Sequence, residues 1–292
     1  MKKKHSFPRF SARRYVQLIT AVLYNCHITG FVKGTIYQGA LKGICVPGLN
    51  CYSCPGAVGA CPLGSLQSAL MSSRYKIPYY ILGTLLLFGL LCGRLICGFL
   101  CPFGFLQDLL DKLPTKKIKK SKVTRVLSKL KYAVLLIFVI LIPLIKLVPG
   151  FCKYICPAGT LGGGIPLAIQ NAALRSMVGF LFSWKMFVLA AILLLCCFCY
   201  RAFCRFLCPL GAIYSFFNPI AFFGIKVDAA KCTHCNACVH GCKMDVKKVC
   251  DTECIHCGAC ISHCPHGAIS YGYKGPFGKC GNKNSPEQKD SK

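Results

Sequence analysis

Residues 232–242 read CTHCNACVHGC, and residues 254–265 read CIHCGACISHCP. Each stretch separates its four Cys by two, two and three residues, which is the spacing of the loops that hold [4Fe–4S] clusters in bacterial ferredoxins. Zinc sites seldom use four Cys in one run, and still less often do so twice in one chain. The two stretches therefore predict a small α+β domain built around two [4Fe–4S] clusters.

The Cys of the two stretches fall into two interleaved sets, because the fourth Cys of each run binds the cluster of the other run. The first predicted cluster has the ligands Cys232, Cys235, Cys238 and Cys264. The second predicted cluster has the ligands Cys242, Cys254, Cys257 and Cys260. Lys243 follows the first run where such loops usually have Pro. Because Pro shapes a turn and is not a ligand, the prediction is unchanged.

The chain as a whole is unusually apolar. Its 292 residues include 25 Cys, 54% are hydrophobic, and the mean hydropathy is +0.53. Such a composition indicates membrane segments. The formal net charge is +28, but Lys and Arg lie in blocks beside apolar runs, which is typical of membrane proteins. We therefore expect membrane lipid, and not nucleic acid, as a partner.

Four apolar runs, residues 15–32, 77–100, 132–148 and about 183–200, have the length of transmembrane helices. A membrane helix needs about 17–25 residues, so the runs predict an all-α integral membrane bundle of about four helices. The semi-apolar stretch 161–182 is predicted to be interfacial or re-entrant. With four spans, 28 of the 36 Lys and Arg lie on the side that holds both termini. The positive-inside rule places that side in the cytoplasm of a multi-pass cell-membrane protein.

The membrane region contains an internal repeat. Residues 94–104 (RLICGFLCPFG) recur 107 residues later as residues 201–211 (RAFCRFLCPLG). A weaker pair is residues 60–66 (ACPLGSL) and 155–161 (ICPAGTL). Each half then reads as a helix, an outer Cys-Pro segment, a helix and an inner Cys-Pro segment. Two such halves predict a bundle with a pseudo-twofold axis.

The inner segments place Cys at positions i and i+4, which share one face of a helix. The four inner Cys are Cys97, Cys101, Cys204 and Cys208. Across the pseudo-twofold axis they are predicted to bind one further cluster. The alternative is that they are small apolar residues packed inside a membrane protein. Packing alone does not explain two matched copies of Cys-x3-Cys-Pro-x-Gly.

The outer segments contain a second set of Cys that is predicted to bind a cofactor. Its members are Cys54, Cys61, Cys152 and Cys156. One interpretation is an iron–sulfur centre, and the other is a disulfide or thiol switch, because the outer side of the membrane is oxidising. The sequence therefore predicts one or two further iron–sulfur centres in the membrane part. A bis-His haem is not expected, because the membrane region has a single His, His27.

These features divide the chain into six parts. They are a basic cytoplasmic N terminus (1–14), a first membrane repeat (15–113), a basic cytoplasmic loop (114–131), a second membrane repeat (132–225), a ferredoxin-type domain (226–273) and a disordered tail (274–292). The tail is predicted to be disordered because it is rich in Gly, Lys, Asn and Ser.

Several stretches carry a resemblance to a known family. They are Arg13-Arg14-x2-Gln17, Cys51-Tyr-Ser-Cys54-Pro-Gly-Ala, residues 93–109 and the paired Cys runs. They resemble the membrane polyferredoxin family of 4Fe-4S binding membrane proteins, which includes NapH-type quinol dehydrogenase subunits, NosR-type proteins and CcoG-type copper reductases. The resemblance extends from residue 13 to about residue 270. It implies four or more spans and electron transfer between a quinol or cytoplasmic donor and a redox partner outside.

The predicted function is therefore that of an electron-transfer component of an oxidoreductase. Its expected partners are quinone and redox proteins, such as an extracytoplasmic flavoprotein or cytochrome. Two alternatives stay open. One is a cupric or other metal reductase for cofactor assembly, because soft outer thiolates suit Cu(I). The other is a redox sensor or assembly scaffold, which would change state once, whereas an electron conduit oxidises its donor continuously.

Overall fold

The computed structural model of the protein describes residues 8–72, 78–118, 120–171, 175–176 and 179–274. Residues 1–7 of the predicted basic N terminus and residues 275–292 of the predicted disordered tail lie outside these residues. The described chain is mostly helical, as predicted, and has a two-stranded sheet near its C-terminal end.

The membrane repeats contribute most of the helices. In the first repeat the described helices are Pro8–Tyr24, Ile28–Lys33, Pro62–Ser72, Tyr79–Cys92, Leu95–Phe99 and Pro102–Leu110, with a 3₁₀ turn at Ala40–Gly43. In the second repeat they are the helical run Val123–Lys146 and the helices Gly150–Tyr154, Pro157–Gly159, Ile165–Gln170, Phe180–Phe198, Ala202–Phe206 and Pro209–Phe217.

The two inner Cys-Pro segments fold alike. Each has a five-residue helix, a short link that ends in an extended Cys, and a nine-residue helix that begins with Pro. Pro is favoured at the first helical position because its missing N–H has no partner to lose there. The thiols of Cys101 and Cys208 cap these helices, accepting hydrogen bonds at 3.4 Å from the backbone N–H groups of Gly104 and Gly211. The sequence repeat is thus a repeat of backbone structure.

Two described helices, Val123–Lys146 and Phe180–Phe198, are long and apolar enough to cross a membrane. Tyr79–Cys92 is apolar but shorter, because it ends at Gly93 in a left-handed conformation (φ 52°). These helices correspond to three of the four predicted spans.

The fourth predicted span, residues 15–32, does not form one continuous helix. The helix ends at Tyr24, whose carbonyl oxygen accepts the backbone N–H of Val58 at 3.1 Å. The N–H of His27 donates to the carbonyl oxygen of Gly56, also at 3.1 Å. The outer segment therefore binds the backbone groups that would continue the helix, which the hydropathy of the run did not indicate.

Two prolines widen the helices of the second repeat. The π-helical segment Leu135–Leu141 lies directly before Ile142 and Pro143, and the π-helical segment Thr160–Gly164 lies directly before Ile165 and Pro166. Pro lacks a backbone N–H and crowds the preceding turn, and a wider turn relieves both problems. The stretch predicted to be interfacial or re-entrant contains this second widened turn; its residues 172–174 and 177–178 lie outside the described residues.

A large apolar core joins the two repeats. Its most deeply buried members include Leu63, Ile96, Phe151 and Phe203. The ring of Phe103 meets the ring of Phe203 edge-on, with 5.0 Å between the ring centroids. All four inner Cys and the outer Cys61 and Cys156 belong to this core, and Cys152 packs against it, so their surroundings are largely apolar.

The ferredoxin-type domain has the α+β structure that the Cys spacing predicts. Its strands Phe223–Val227 and Ile269–Tyr273 pair in an antiparallel register, and its helices are Ala237–His240 and Ala259–His263. Each helix follows a tight loop with two residues of positive φ. These residues are His234 and Asn236 in the first loop and His256 and Gly258 in the second. The two Cys runs therefore share one backbone path, so the domain is internally duplicated.

Gly98 lies where the first inner segment meets the ferredoxin-type domain. A Cβ atom at this position would lie 2.3 Å from the carbonyl oxygen of Ile255. We therefore expect Gly98→Ala to force the two backbones apart and to lower the Tm, since overpacking of this kind costs about 1–3 kcal/mol. Thermal unfolding of the detergent-solubilised protein measures this shift.

The matched control is Gly83→Ala, in the helix Tyr79–Cys92. No atom lies within 4 Å of the Cβ position of Gly83, and Ala is the better helix former. This variant should keep or raise the Tm. If the two variants unfold at the same temperature, the close approach between Gly98 and Ile255 has no energetic consequence.

Candidate iron–sulfur sites

The structure brings the four predicted inner Cys into one buried group. All four side chains are buried in the core that joins the repeats. Burial raises the pKa of the Cys208 thiol, and the thiolates of Cys204, Cys97 and Cys101 raise it further. Because a charge shifts the pKa of a group only when the two are close, the four thiols lie near one another.

Two arginines hold this group together by a reciprocal exchange between the repeats. The guanidinium of Arg94, from the first repeat, donates to the carbonyl oxygen of Cys204 in the second at 3.3 Å. The guanidinium of Arg201, from the second repeat, donates to the carbonyl oxygen of Cys97 in the first at 2.6 Å. Both side chains are completely buried. Each repeat thus fixes the Cys pair of the other.

Asp108 balances the charge of Arg201. Its two carboxylate oxygens accept hydrogen bonds from Arg201 at 2.8 and 2.7 Å, and one of them also accepts from Gln17 at 3.0 Å and from Arg13. Burial alone would raise the pKa of Asp108, but Arg201 and Arg13 lower it well below its usual range. This ionised carboxylate binds Arg13 and Gln17 of the first helix to the inner segment.

Gln107 is a site residue that the sequence did not reveal. Its amide nitrogen donates to the sulfur of Cys204 at 3.0 Å, and its amide oxygen accepts from the backbone N–H of Cys204 at 3.4 Å. A hydrogen bond to a ligand sulfur is one of the means by which proteins set cluster potentials. The signal that would have revealed it is the pattern Cys-Pro-x-Gly-x-Leu-Gln, which occurs at 61–67 and at 101–107.

Arg94 also connects the inner group to the ferredoxin-type domain. Its guanidinium donates to the carboxylate of Glu253 at 2.8 Å and to the carbonyl oxygen of Thr252 at 3.0 Å. The ammonium of Lys131 donates to the other oxygen of the same carboxylate. Glu253 directly precedes Cys254, a predicted ligand of the second cluster. This carboxylate therefore anchors a predicted cluster loop against the inner Cys group.

Asn218 and His256 complete this domain contact. The amide nitrogen of Asn218 donates to the carbonyl oxygens of Asp251 and Cys254 at 2.6 and 3.0 Å, and its amide oxygen accepts the backbone N–H of Arg94 at 3.1 Å. Burial lowers the pKa of His256 to about 3, so the ring is neutral. Its Nδ1 accepts the backbone N–H of Ile225 at 3.0 Å, which leaves Nε2–H to donate to Asn218 at 2.9 Å.

The structure also brings together the Cys of the first predicted ferredoxin cluster. A cavity of 150 Å³ is lined by all four of them, Cys232, Cys235, Cys238 and Cys264. The fourth comes from the other Cys run, as the interleaved assignment requires. Its sulfur accepts the backbone N–H of Ala268 at 3.3 Å.

The second predicted set gathers around Cys260. Burial raises the pKa of this thiol, and the thiolates of Cys254, Cys257 and Cys242 raise it further. These are the other three predicted ligands of the second cluster. Cys238 of the first set raises the same pKa to a smaller extent, so the two predicted cluster sites are close neighbours.

The outer Cys assemble differently from the prediction. Burial raises the pKa of Cys156, and Cys152, Cys51 and Cys61 raise it further. Cys54 is directed elsewhere, since its sulfur lies 3.6 Å from the side-chain oxygen of Asn25. The structure thus brings three of the four predicted outer residues together and adds Cys51.

No three Cys, His, Asp or Glu side chains within the described ranges are close enough to share a single metal ion. The ligands of one zinc ion sit about 2.0–2.3 Å from it, so their donor atoms nearly touch. A [4Fe–4S] cube holds its four thiolates farther apart, because each thiolate binds a different iron atom.

Comparison with known families supports iron–sulfur chemistry. A family described as "4Fe-4S binding domain" matches residues 77–121, 132–165 and 180–227, which include all four inner Cys. A second family of the same description matches residues 251–270, in the ferredoxin-type domain. Together with the Cys runs, these matches confirm that the chain binds [4Fe–4S] clusters.

Two curated relatives come from Methanocaldococcus jannaschii. The uncharacterised protein MJ0750 is 33% identical over 63% of this chain and 74% of its own length, and the uncharacterised protein MJ0749 is 31% identical over 62% of this chain and 65% of its own length. The regulatory protein NosR of Pseudomonas aeruginosa is 29% identical over 53% of this chain but only 21% of its own length. No solved structure matches the chain.

The carboxylate of Glu253 lies between the buried cations Arg94 and Lys131. Glu253→Gln removes the negative charge and leaves two buried positive charges facing each other. Because breaking a buried ion pair costs about 3–5 kcal/mol, we expect a large fall in Tm and release of the ferredoxin-type domain. Thermal unfolding and limited proteolysis between residues 218 and 228 measure the two effects.

Asp228→Asn serves as the control for this substitution. It removes a carboxylate from the same domain, but its ion pair with Lys231 is exposed and spans 3.7 Å. Exposed pairs contribute about 0–1 kcal/mol, so the Tm should hardly change. Equal stability of the two variants would contradict an anchoring role for Glu253.

Proposed function

Because the chain belongs to the polyferredoxin-like family of 4Fe-4S binding proteins, we propose that it moves electrons between its ferredoxin-type domain and an inner cluster in the membrane part. A [4Fe–4S] cluster supplies one-electron chemistry when it is bound. The ferredoxin-type domain holds two such clusters in the proposed arrangement. The inner cluster is held by Cys97, Cys101, Cys204 and Cys208.

The observation that carries this proposal is the double contact of Arg94. A single guanidinium donates to Cys204 of the inner group and to Glu253 beside Cys254 of the ferredoxin-type domain. Electron transfer between centres slows steeply with distance and is favoured by a continuous path of bonds. Arg94 supplies such a path and fixes the two sites against each other.

The residues around the inner group also suit a negatively charged centre. The buried cations Arg94 and Arg201 donate to the carbonyl oxygens of Cys204 and Cys97, beside the inner thiols. Together with the hydrogen bond from Gln107 to Cys204, they stabilise thiolate ligands in an apolar core. Charge and hydrogen bonds at the sulfur atoms set a cluster potential, so these three residues are expected to set the potential of the inner centre.

A multi-pass membrane location fits the surface of the described helices. On Phe180–Phe198, the side chains of Phe180, Phe187 and Leu194 are 86%, 66% and 65% exposed, as expected for residues that face lipid. We place both termini in the cytoplasm and retain four crossings and the six parts defined from the sequence. Electrons then pass between a quinol or cytoplasmic donor and a redox partner on the outer side.

Replacing Cys101 or Cys208 by Ser removes one ligand of the proposed inner cluster. Each single variant should lose electron transfer across the membrane while the ferredoxin clusters persist. The double variant should be no worse, because either change already breaks the shared unit. Vesicles with the purified protein, external dithionite and enclosed ferricyanide measure the transfer rate, and EPR measures the remaining clusters.

Cys92→Ser is the matched control, because Cys92 is half-buried at the end of Tyr79–Cys92 and belongs to none of the proposed ligand sets. It should keep the wild-type rate and iron content. If Cys101→Ser and Cys208→Ser behave like Cys92→Ser, the inner Cys are packing residues and the proposed electron path is wrong.

Reporter fusions test the proposed topology. Fusions after Pro114 and after residue 292 should both report a cytoplasmic location, because the basic residues concentrate on that side. An even number of crossings then separates the two points. A fusion after residue 292 that reports an outer location, beside a cytoplasmic Pro114, would contradict the four-span arrangement.

A further inference from the structure

A cavity of 940 Å³ is lined by the outer segments of both repeats. Five Cys contribute to its wall, namely Cys45, Cys51, Cys61, Cys152 and Cys156. We propose that Cys51, Cys61, Cys152 and Cys156 bind a further [4Fe–4S] cluster in this cavity, with Cys51 in the place that spacing assigned to Cys54. Each thiol gives its proton to solvent as its sulfur binds iron, and no electron is exchanged.

The sulfur positions support this ligand set. A Cβ atom on Gly159 would lie 3.6 Å from the sulfur of Cys51 and 3.7 Å from that of Cys156, so these two sulfur atoms approach one point from different segments. Cys61 and Cys152 line the same cavity as Cys51 and Cys156. All four residues therefore contribute to one cavity wall.

Cys54 has different neighbours. Its sulfur lies 3.6 Å from the Cβ position of Gly162, and Asn25 contacts it on the other side. Cys54 does not contribute to the cavity wall formed by the described residues. The thiols of Cys51 and Cys54 lie near each other, but only Cys51 contributes to the wall of the cavity among the described residues.

The proposed outer site repeats the construction of the inner one. Cys156 caps the helix that begins at Pro157 and accepts the backbone N–H of Gly159 at 3.3 Å, as Cys101 and Cys208 do with their own glycines. Gln67 donates its amide to the sulfur of Cys152 at 3.3 Å, as Gln107 does to Cys204. In both sites, a glutamine of the first repeat donates to the first Cys of a Cys-x3-Cys pair that belongs to the second repeat.

Cations also accompany the outer thiols. Lys42 and Lys185 line the same cavity. Lys42 is buried and donates to the carbonyl oxygen of Ala57 at 2.7 Å, and burial is the main cause that lowers its pKa. A cluster with four thiolate ligands is an anion, so a nearby ammonium offsets part of the cost of burying it.

Tyr214 belongs to the same buried core as the four inner Cys, Cys61 and Cys156. Its buried hydroxyl donates to the carbonyl oxygen of Pro47 at 2.9 Å. Burial raises the pKa of this hydroxyl, and Cys97, Cys61 and Cys101 raise it further, so it is close to the thiols of both groups. An outer cluster would therefore extend the proposed electron path from the inner group toward the outer surface.

The test compares Cys51→Ser with Cys54→Ser in the full-length protein purified without oxygen. Cys51→Ser should lose about four iron atoms and four acid-labile sulfides per chain. Cys54→Ser should keep the wild-type iron content. The EPR signals of the remaining clusters show whether each variant has folded. Wild-type iron in Cys51→Ser, or equal loss in both variants, would overturn the proposal.

A second measurement uses the wild-type protein. Denaturation with EDTA and iodoacetamide, without reductant, should leave all four outer Cys alkylated. A disulfide-linked pair among their peptides would instead assign these residues to a thiol switch. The proposed outer site rests on the proposed electron-transfer function and extends it. Iron counting tests the outer site separately, because the site holds or lacks iron whether or not electrons cross the membrane.

Discussion

The reciprocal exchange of Arg94 and Arg201 is the constraint on which the rest of the arrangement depends. Each guanidinium extends from its own repeat and donates to the carbonyl oxygen of a Cys in the other repeat. Arg suits this task because its planar group donates in several directions while it remains charged. Together with Gln107, which bonds Cys204 from the first repeat, this exchange holds the two Cys-x3-Cys pairs against each other.

The two arginines occupy equivalent positions, but their carboxylates come from different domains. Arg201 pairs with Asp108, seven residues after Cys101 in the first repeat. The equivalent position in the second repeat is Ser215, which has no charge to offer. Arg94 pairs instead with Glu253 of the ferredoxin-type domain. A buried cation without a partner is costly, so the broken symmetry itself holds the electron-carrying domain against the inner Cys group.

Local spacing allowed some features to be predicted and left others hidden. The spacing of the Cys runs predicts tight loops and therefore the ferredoxin-type domain. The same spacing predicts that the fourth Cys of each run joins the ligand set of the other run. The choice between Cys51 and Cys54 depends on how an irregular turn directs two side chains, which no periodicity records. The break at Tyr24 depends on hydrogen bonds to residues 56–58, which lie more than thirty positions away. Hydropathy reports how apolar a run is, but not whether another segment competes for its backbone.

The same duplication explains why each site needs only one glutamine. Gln67 and Gln107 both follow a Cys-Pro step in the first repeat and both reach a sulfur in the second. The equivalent positions in the second repeat therefore do not need a glutamine that donates to sulfur. One is Gly162, whose missing side chain leaves room for the thiol of Cys54. The other is Tyr214, which is buried in the core that contains the inner Cys and Cys61. Divergence between the repeats thus replaces a glutamine that contacts sulfur by an aromatic residue inside the shared core.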